Sequence, residues 1–274
     1  MVHTWRCWRC EYAVWSASES VTIESGRSHL LAHHRGNLSS EGFRIRWHCP
    51  YCERARVSHG RDEAVDAFAS HLFDHGDHRL RSGAHVADEF DRTGNVLVLS
   101  PLEGAGADNA RVHFLSSSDV AIVVTTRVAE RVRLVNRRLA DRPSQTIVLT
   151  TKAEPLEGLA GADVSGTDLE LVQLSKRLGL GGIGETISRV VAEHESPEAT
   201  LSVEFDILPE LIAKCDLETV FRFLHLLTSR LEGAGALAHY YCNPERRSQP
   251  TINLLSELFD ATIRARDDRF ELRA

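Results

Sequence analysis

From Asn95 onward the chain alternates short apolar runs with stretches of helical period. Val96, Leu97, Val98 and Leu99 form a continuous apolar run, the pattern of a strand buried on both faces. Residues 120–125, 146–150, 201–205 and 236–241 read as four more strands. Between and after them, residues 129–139, 168–178, 183–194, 217–231 and 252–263 carry helical spacing. Strands alternating with helices predict an α/β domain whose mainly parallel sheet is covered on both faces. Residues 269–273 alternate and are expected to add an edge strand. Ahead of this domain the texture differs. Phe43, Arg44, Ile45, Arg46 and Trp47 alternate apolar and basic, as a short strand does. Asp62 is placed to cap a helix in which Val65, Phe68, Ala69 and Leu72 share one face. A looser version of the same plan, with a helix around residues 28–34, precedes it.

One pattern of side chains occurs twice in this front region. Cys7 and Cys10 are followed after eighteen residues by His29 and His33. Cys49 and Cys52 are followed after eighteen residues by His71 and His75, forty-two positions on. Two close cysteines and then two histidines one helical turn apart match a structural zinc site, in which four protein ligands leave no position for a reacting water. A module of roughly 40 residues buries too little core to fold alone. Metal binding, on the order of 10–16 kcal/mol for such peptides, is expected to supply the missing stability. His34 is an alternative to His33 as last ligand, and His78 to His75. The expected cofactor is therefore Zn2+ at two sites. The expected organisation is a first module at 1–40, a second at 41–82, a linker at 83–94, partly helical at 85–90, and the α/β domain at 95–274.

Composition narrows the functional classes. The net charge is −7, and residues 1–90 hold 11 Arg against 12 Asp and Glu, so neither part is a broad basic surface. Only Lys152, Lys176 and Lys214 are lysines among 32 basic residues, a bias that fits a GC-rich or salt-adapted genome. No apolar leader opens the chain and no run of eighteen apolar residues occurs, so neither a signal peptide nor a membrane span is expected. The expected compartment is a reducing cytoplasm, with the paired cysteines as thiolate ligands and Cys215 and Cys242 in the core. One local exception to the charge balance stands out. Arg44, Arg46, Arg54, Arg56 and Arg61 cluster around the second Cys pair, interleaved with Phe43, Trp47 and Tyr51. That mixture suits nucleic acid or a protein partner equally. The helix that follows starts with Asp62, Glu63 and Asp66, which would repel phosphates.

The Cys/His modules resemble tandem zinc fingers of the two-Cys two-His type over residues 5–78. Their eighteen-residue interval exceeds the twelve or so of the DNA-reading pattern. It leaves room for an extended hairpin, and the base-reading positions of that family are not carried over.

The α/β domain lacks the usual tools of phosphate chemistry. Pro101 to Asp108 contains two glycines but not the G-x-x-x-x-G-K-[ST] pattern, and no lysine precedes Lys152. Glu103 and Asp108 would repel a nucleotide, so P-loop hydrolysis is not expected. Asp206, after the strand at 201–205, reads as a carboxylate capping the next turn. Gly181, Gly182 and Gly184 read as a turn rather than an anion site. Phe221, Leu224, Leu227 and Leu231 fall on one helical face and read as core, while Arg222 and His225 lie off it as a partner surface. His239 reads as a satisfied core histidine. The stretch DLETVFRFLHLLTSR at 216–230, GALAHY at 235–240, NVLVLS at 95–100 and LFDA at 258–261 resemble a haloarchaeal family of degenerate RecA/KaiC-like domains of uncharacterised function, over about residues 94–265. The resemblance implies a RecA-like three-layer fold, an eroded phosphate loop, Asp206 at the Walker B position and a regulatory or signalling association. RecA-like domains often self-associate, so a homo-oligomer is left open. Together these readings predict a non-enzymatic zinc-binding adaptor or regulator with no catalytic residues, whose partner is a protein or DNA. A DNA-binding zinc-finger transcriptional regulator and a non-hydrolysing nucleotide sensor are the alternatives.

Overall fold

The structure is a computed structural model that describes residues 2–33, 38–77, 80–83, 85–101, 104–116, 118–138, 143–155, 168–174, 179–196 and 198–273. The chain forms two compact units, Met1–Ala84 with Asp268–Ala274, and His85–Asp267.

The first unit is built from two copies of a strand–knuckle–strand–helix plan. In the first copy β1 (His3–Arg6) and β2 (Ala13–Ser16) precede α1 (Glu19–His33). After β3 (Leu38–Glu41), the second copy runs through β4 (Arg44–His48), β5 (Ala55–Ser58) and α2 (Arg61–Asp77). The duplication extends to register: Arg6 pairs with Ala13, and His48 with Ala55. It extends to the knuckles as well. The Cys7 N–H donates to the Tyr12 carbonyl at 2.9 Å, and the Cys49 N–H to the Arg54 carbonyl at 2.8 Å. β2 pairs on its other side with the C-terminal strand Phe270–Arg273, and β1 with β6 (Arg81–Ser82); β3, β4 and β5 form a separate antiparallel sheet.

The two copies share one core, in which Trp5 and Leu30 of the first meet Trp47, Phe68 and Leu72 of the second. Trp8 lies edge-on to Tyr51 with ring centroids 3.9 Å apart. Matching positions are filled differently. Phe68 packs on Trp47 at 5.4 Å between ring centroids, whereas its counterpart Gly26 leaves room for Trp5. The helix of the first copy is much longer than the stretch expected around 28–34. Its N-terminal half is polar and has little apolar periodicity, but Ser18 caps it, its hydroxyl accepting the Val21 N–H at 3.4 Å. The face of α2 also differs from expectation. Ala64, Phe68 and Leu72 are buried, and Val65 stays 38% exposed because the buried stripe passes one position earlier.

In the second unit, β7 (Gly94–Leu99), β8 (Val120–Val124), β9 (Gln145–Thr150), β10 (Asp168–Gln173), β11 (Leu201–Phe205), β12 (Leu237–Cys242) and β13 (Ala261–Ala265) make an α/β sheet. Their order is β10-β9-β8-β11-β12-β7-β13, and every pairing is parallel. α3 (Ala105–Leu115), α4 (Val128–Arg138), α5 (Leu180–His194), α6 (Leu208–Lys214), α7 (Leu217–Gly233) and α8 (Gln249–Ser256) cover it. Leu97, Ile122, Ile147, Val203, Phe205 and Tyr240 pack with α5, α7 and α8 on one face. Ala121, Val123 and Val148 lie on the other, with Leu115 of α3 and Val128, Val132 and Val135 of α4. The domain is thus three-layered.

Two expectations are corrected here. Residues 168–173 are a strand, because Leu169 and Leu171 alternate into the apolar layer beside Val123 and Val148 while the backbone pairs with β9. Residues 252–263 are split: α8 ends at Ser256, and Thr262 and Ile263 pair in parallel with Leu97 and Val98. The glycine-containing run after β7 enters α3 at Ala105, with Gly106 pressed against the Arg266 backbone. The expected linker holds one short 3-10 helix, Val86–Phe90. Among the described residues no helix is long and apolar enough to cross a membrane.

A Cβ on Gly26 would lie 2.7 Å from the Trp5 ring. Gly26→Ala is therefore expected to destabilise the first unit by about 1–3 kcal/mol, the usual range for overpacking, read as a lower midpoint in denaturant followed by tryptophan fluorescence.

Candidate functional site

Four potential ligand atoms converge at the second Cys/His pair. The sulfurs of Cys49 and Cys52 and ring nitrogens of His71 and His75 all lie within 4.8 Å of one another. Cys52 Sγ is 3.3 Å from His71 Nε2, Cys49 Sγ is 3.4 Å from His75 Nε2, and the two Nε2 atoms are 3.3 Å apart. A tetrahedron with metal–sulfur bonds near 2.3 Å and metal–nitrogen bonds near 2.05 Å has N–N edges of about 3.3 Å and S–N edges of about 3.6 Å. The geometry therefore fits a metal of that size. The knuckle presents both sulfurs, with the Tyr51 N–H donating to Cys49 Sγ at 3.4 Å, and α2 presents both imidazoles one turn apart. Trp47 lies against His71 with ring centroids 5.4 Å apart and limits its movement. Burial lowers the pKa of His71, with His75 adding to the effect, which favours the neutral imidazole that a metal requires. Burial raises the Cys49 thiol, so metal binding there would release a proton.

At the first pair Cys7, Cys10 and His29 converge in the same way, and Cys10 Sγ is 3.3 Å from His29 Nε2. Tyr12 stacks on the His29 ring at 4.0 Å, only 4° from parallel. His33 sits on the exposed last turn of α1 with its ring centroid 4.9 Å from that of His29, outside the group of three. His34 and His78, the alternative ligands, lie outside the described residues. The long interval between cysteine and histidine is not spent on an extended hairpin. Both hairpins are short, and ten helical residues precede the first histidine in each copy, which places it three turns along α1 and α2.

A second cluster, in the second unit, goes beyond what the sequence pattern predicts. Glu204 on β11 and Asp206 just beyond it meet Arg111 of α3, and Arg127 and Arg131 at the start of α4. Arg111 Nε donates to Glu204 Oε1 and its Nη2 to Asp206 Oδ1, both at 2.8 Å, while its Nη1 donates to Asp108 at 3.0 Å. Arg131 Nη2 donates to Asp206 Oδ2 at 3.0 Å, Arg127 Nη2 to Oδ1 at 3.2 Å, and Thr125 Oγ1 to Oδ2 at 2.9 Å. Arg111 and Glu204 are fully buried, and Tyr241 places its ring 4.1 Å beneath the Arg111 guanidinium. Three arginines offset Asp108, Glu204 and Asp206, so the buried charge is balanced. Burial works to raise the Asp206 pKa, but Arg111, Arg131 and Arg127 outweigh it and hold the carboxyl below its ordinary range.

This cluster replaces one expectation. Asp206 does not cap a turn; it anchors the ion network. The first turn of α3, where a phosphate would bind, is occupied by the protein's own carboxylate: the Gly106 N–H donates to Asp267 Oδ1 at 3.1 Å. Gly181, Gly182 and Gly184 lie within α5 rather than in a turn before it. His239 is a satisfied core histidine, near Ser202 Oγ at 3.3 Å and Tyr241 Oη at 2.9 Å, and burial lowers its pKa to about 3. Arg222 pairs with Glu218 on the exposed side of α7, beside the exposed His225. The available signal for the network was a charged residue, Glu204, in a strand that otherwise reads as buried on both faces. Its partner Arg111 lies 93 residues away, a separation that no local pattern reports.

Asp206→Asn would remove one carboxylate and leave three arginines under-compensated. The expected loss is about 3–5 kcal/mol at neutral pH, measured by chemical denaturation of the second unit. Because the folded pKa is depressed, this stabilisation is complete above the unfolded value of about 3.9. It should decline as pH falls below that point and vanish once pH passes the lower folded value, so wild-type and variant curves should converge in acid.

No curated protein matches the chain. A solved structure of a protein from Pyrococcus horikoshii OT3 is similar at 13% identity and a TM-score of 0.44, covering 67% of this chain and 89% of that one. A model described as a family of unknown function, DUF7504, matches residues 93–265, the span that holds the parallel sheet and the buried ion network. On that match, the chain belongs to the DUF7504 family.

Proposed function

We propose that this protein is a zinc-binding regulator or adaptor, in which the first unit recognises a partner and the second is a degenerate RecA-like domain without catalytic activity. The observation that carries the reading is the convergence of Cys49, Cys52, His71 and His75 at the edge lengths of a tetrahedral Zn2+ site. Four protein ligands make such a site structural, since no position remains for substrate or water. Cys7, Cys10 and His29 would hold a second ion, with His33 or His34 as candidates for the remaining position. The shared core in front of these sites is small, so the metals would carry much of the unit's stability.

The RecA-like reading of the second unit is supported by its three-layered parallel sheet and by Asp206 at the carboxyl end of β11. Loss of nucleotide chemistry is supported by two features. Asp267 caps the first turn of α3, and Arg111 and Arg131 saturate Asp206, which would otherwise be free to meet a metal–nucleotide. A cytoplasmic location and self-association through this domain belong to the same proposal.

Metal analysis of the purified protein should find two zinc ions per chain, one for each cluster. Cys49→Ser should lower the count by one, and chelation should unfold the first unit before the second. Fewer than two zinc ions would overturn the two-site reading. Nucleotide hydrolysis that disappears in Asp206→Ala, in protein still folded by circular dichroism, would overturn the non-catalytic assignment.

A further inference from the structure

We propose that the solvent-facing side of the β3–β4–β5 sheet is a binding surface for single-stranded nucleic acid. The proposal deepens the recognition role above by naming its partner, and it rests on that reading in so far as the Cys49–His75 cluster holds the sheet against α2.

The sheet divides its residues by side. On β4, Trp47 is buried and Ile45 half-buried, both packed in the shared core, while Arg44, Arg46 and His48 alternate with them and are exposed. Across the ladder Arg46 sits opposite Val57, which is 43% exposed, and opposite Ser39. Phe43 closes the β3–β4 turn next to Gly42, whose φ of +60° allows the tight reversal. The Phe43 ring is 93% exposed and contributes nothing to the core. Arg56 stands opposite Trp47 and reaches Glu63 of α2, so it lies on the other side of the sheet, and Arg54 lies in the knuckle; the cations of this face are Arg44 and Arg46, with His48 beside them. Trp47 and Tyr51, which share this stretch of sequence, are turned into the unit and excluded from the surface. Among the described residues Arg44, Arg46 and Arg54 make no ion pair, and Arg56 reaches Glu63 only at 3.6 Å in solvent. Within residues 43–61 five arginines face a single acid, Glu53, in a chain whose net charge is −7. Glu41, the register partner of Arg44, is the one acid in the three strands, Glu53 lying in the knuckle.

These features select one occupant. Cations at alternate positions of a strand are about 6.8 Å apart and can each meet a successive backbone phosphate, for which the planar guanidinium is the better partner. An unpacked aromatic ring beside them offers a stacking surface that accepts any base, as single-strand binders use. A duplex keeps its bases stacked internally and leaves Phe43 without a partner. α2 is also a poor groove reader, because Asp62, Glu63 and Asp66 occupy its first two turns. A protein partner would need an apolar centre depleted of charge, and Phe43 and Val57 are too little apolar area beside Arg44 and Arg46.

The test is fluorescence anisotropy of the full, zinc-loaded chain with labelled oligo(dT), oligo(U) and a mixed-sequence duplex, at low and physiological salt. Zinc content is measured on the same samples. Binding to the single strands should exceed binding to the duplex and should weaken with salt. Arg44→Ala with Arg46→Ala should weaken it by roughly tenfold at low salt and flatten the logarithmic salt slope by about 0.7 for each phosphate that is no longer neutralised. Phe43→Ala should weaken binding while leaving the slope unchanged. All three side chains are exposed, so the variants should keep their zinc and circular dichroism. Absence of binding with both metals in place overturns this inference and leaves the zinc reading intact. Unchanged binding by the variants, or tighter binding to the duplex, also overturns it. Retained single-strand binding by protein holding fewer than two zinc ions supports the surface and counts against the two-site reading alone.

Discussion

Two thiols and two imidazoles can meet at one point only if a hairpin and a helix arrive together with correct spacing, and this requirement organises the first unit. The knuckle hydrogen bond from Cys49 to Arg54 presents both sulfurs. The first histidine must then lie far enough along α2 to reach back over the hairpin, which accounts for the ten helical residues before His71. The same requirement recurs forty-two residues earlier, and with it recur the strand register, the knuckle bond and the position of the buried tryptophan. The copies then diverge where they meet. Gly26 admits Trp5 and Phe68 supports Trp47, so one shared core forms instead of two separate ones.

A different constraint governs the second unit. One face of its sheet is apolar, and the other carries Glu204, Ser202, His239 and Tyr241 into a dry layer beneath α3 and α4. Burying Glu204 and Asp206 is tolerable only with cations held against them, and Arg111, Arg127 and Arg131 supply these. The network joins two helices to the end of the central strand at the place where an α/β sheet ordinarily binds a ligand. The domain has filled that place with its own side chains.

Several features were legible in the sequence because their signals are local. The apolar runs at 96–99, 120–124 and 201–205 mark strands, since parallel strands covered on both faces have few other compositions. The spacing of Cys49, Cys52, His71 and His75 marks a cluster, since each pair is local and the pattern is doubled. Others were not legible. The polar first half of α1 is helical because Ser18 starts it and Trp5 packs on Gly26, neither of which leaves an apolar period. Residues 168–173 carry apolar positions compatible with either helix or strand, and pairing with β9 decided between them.

The sequence by itself determined which atoms could serve as ligands, how far apart along the chain they lie, and that the α/β domain has no phosphate-loop lysine. These are properties of residue identity and short-range spacing. Only the tertiary structure decided that His33 sits outside the group formed by Cys7, Cys10 and His29, that Trp47 and Tyr51 turn inward while Phe43, Arg44 and Arg46 face solvent, and that Asp206 is enclosed by three arginines. Each of these depends on which side of a sheet or helix is covered, and on residues far apart in the chain meeting in space. Local pattern constrains such meetings weakly, whereas burial and charge compensation constrain them strongly.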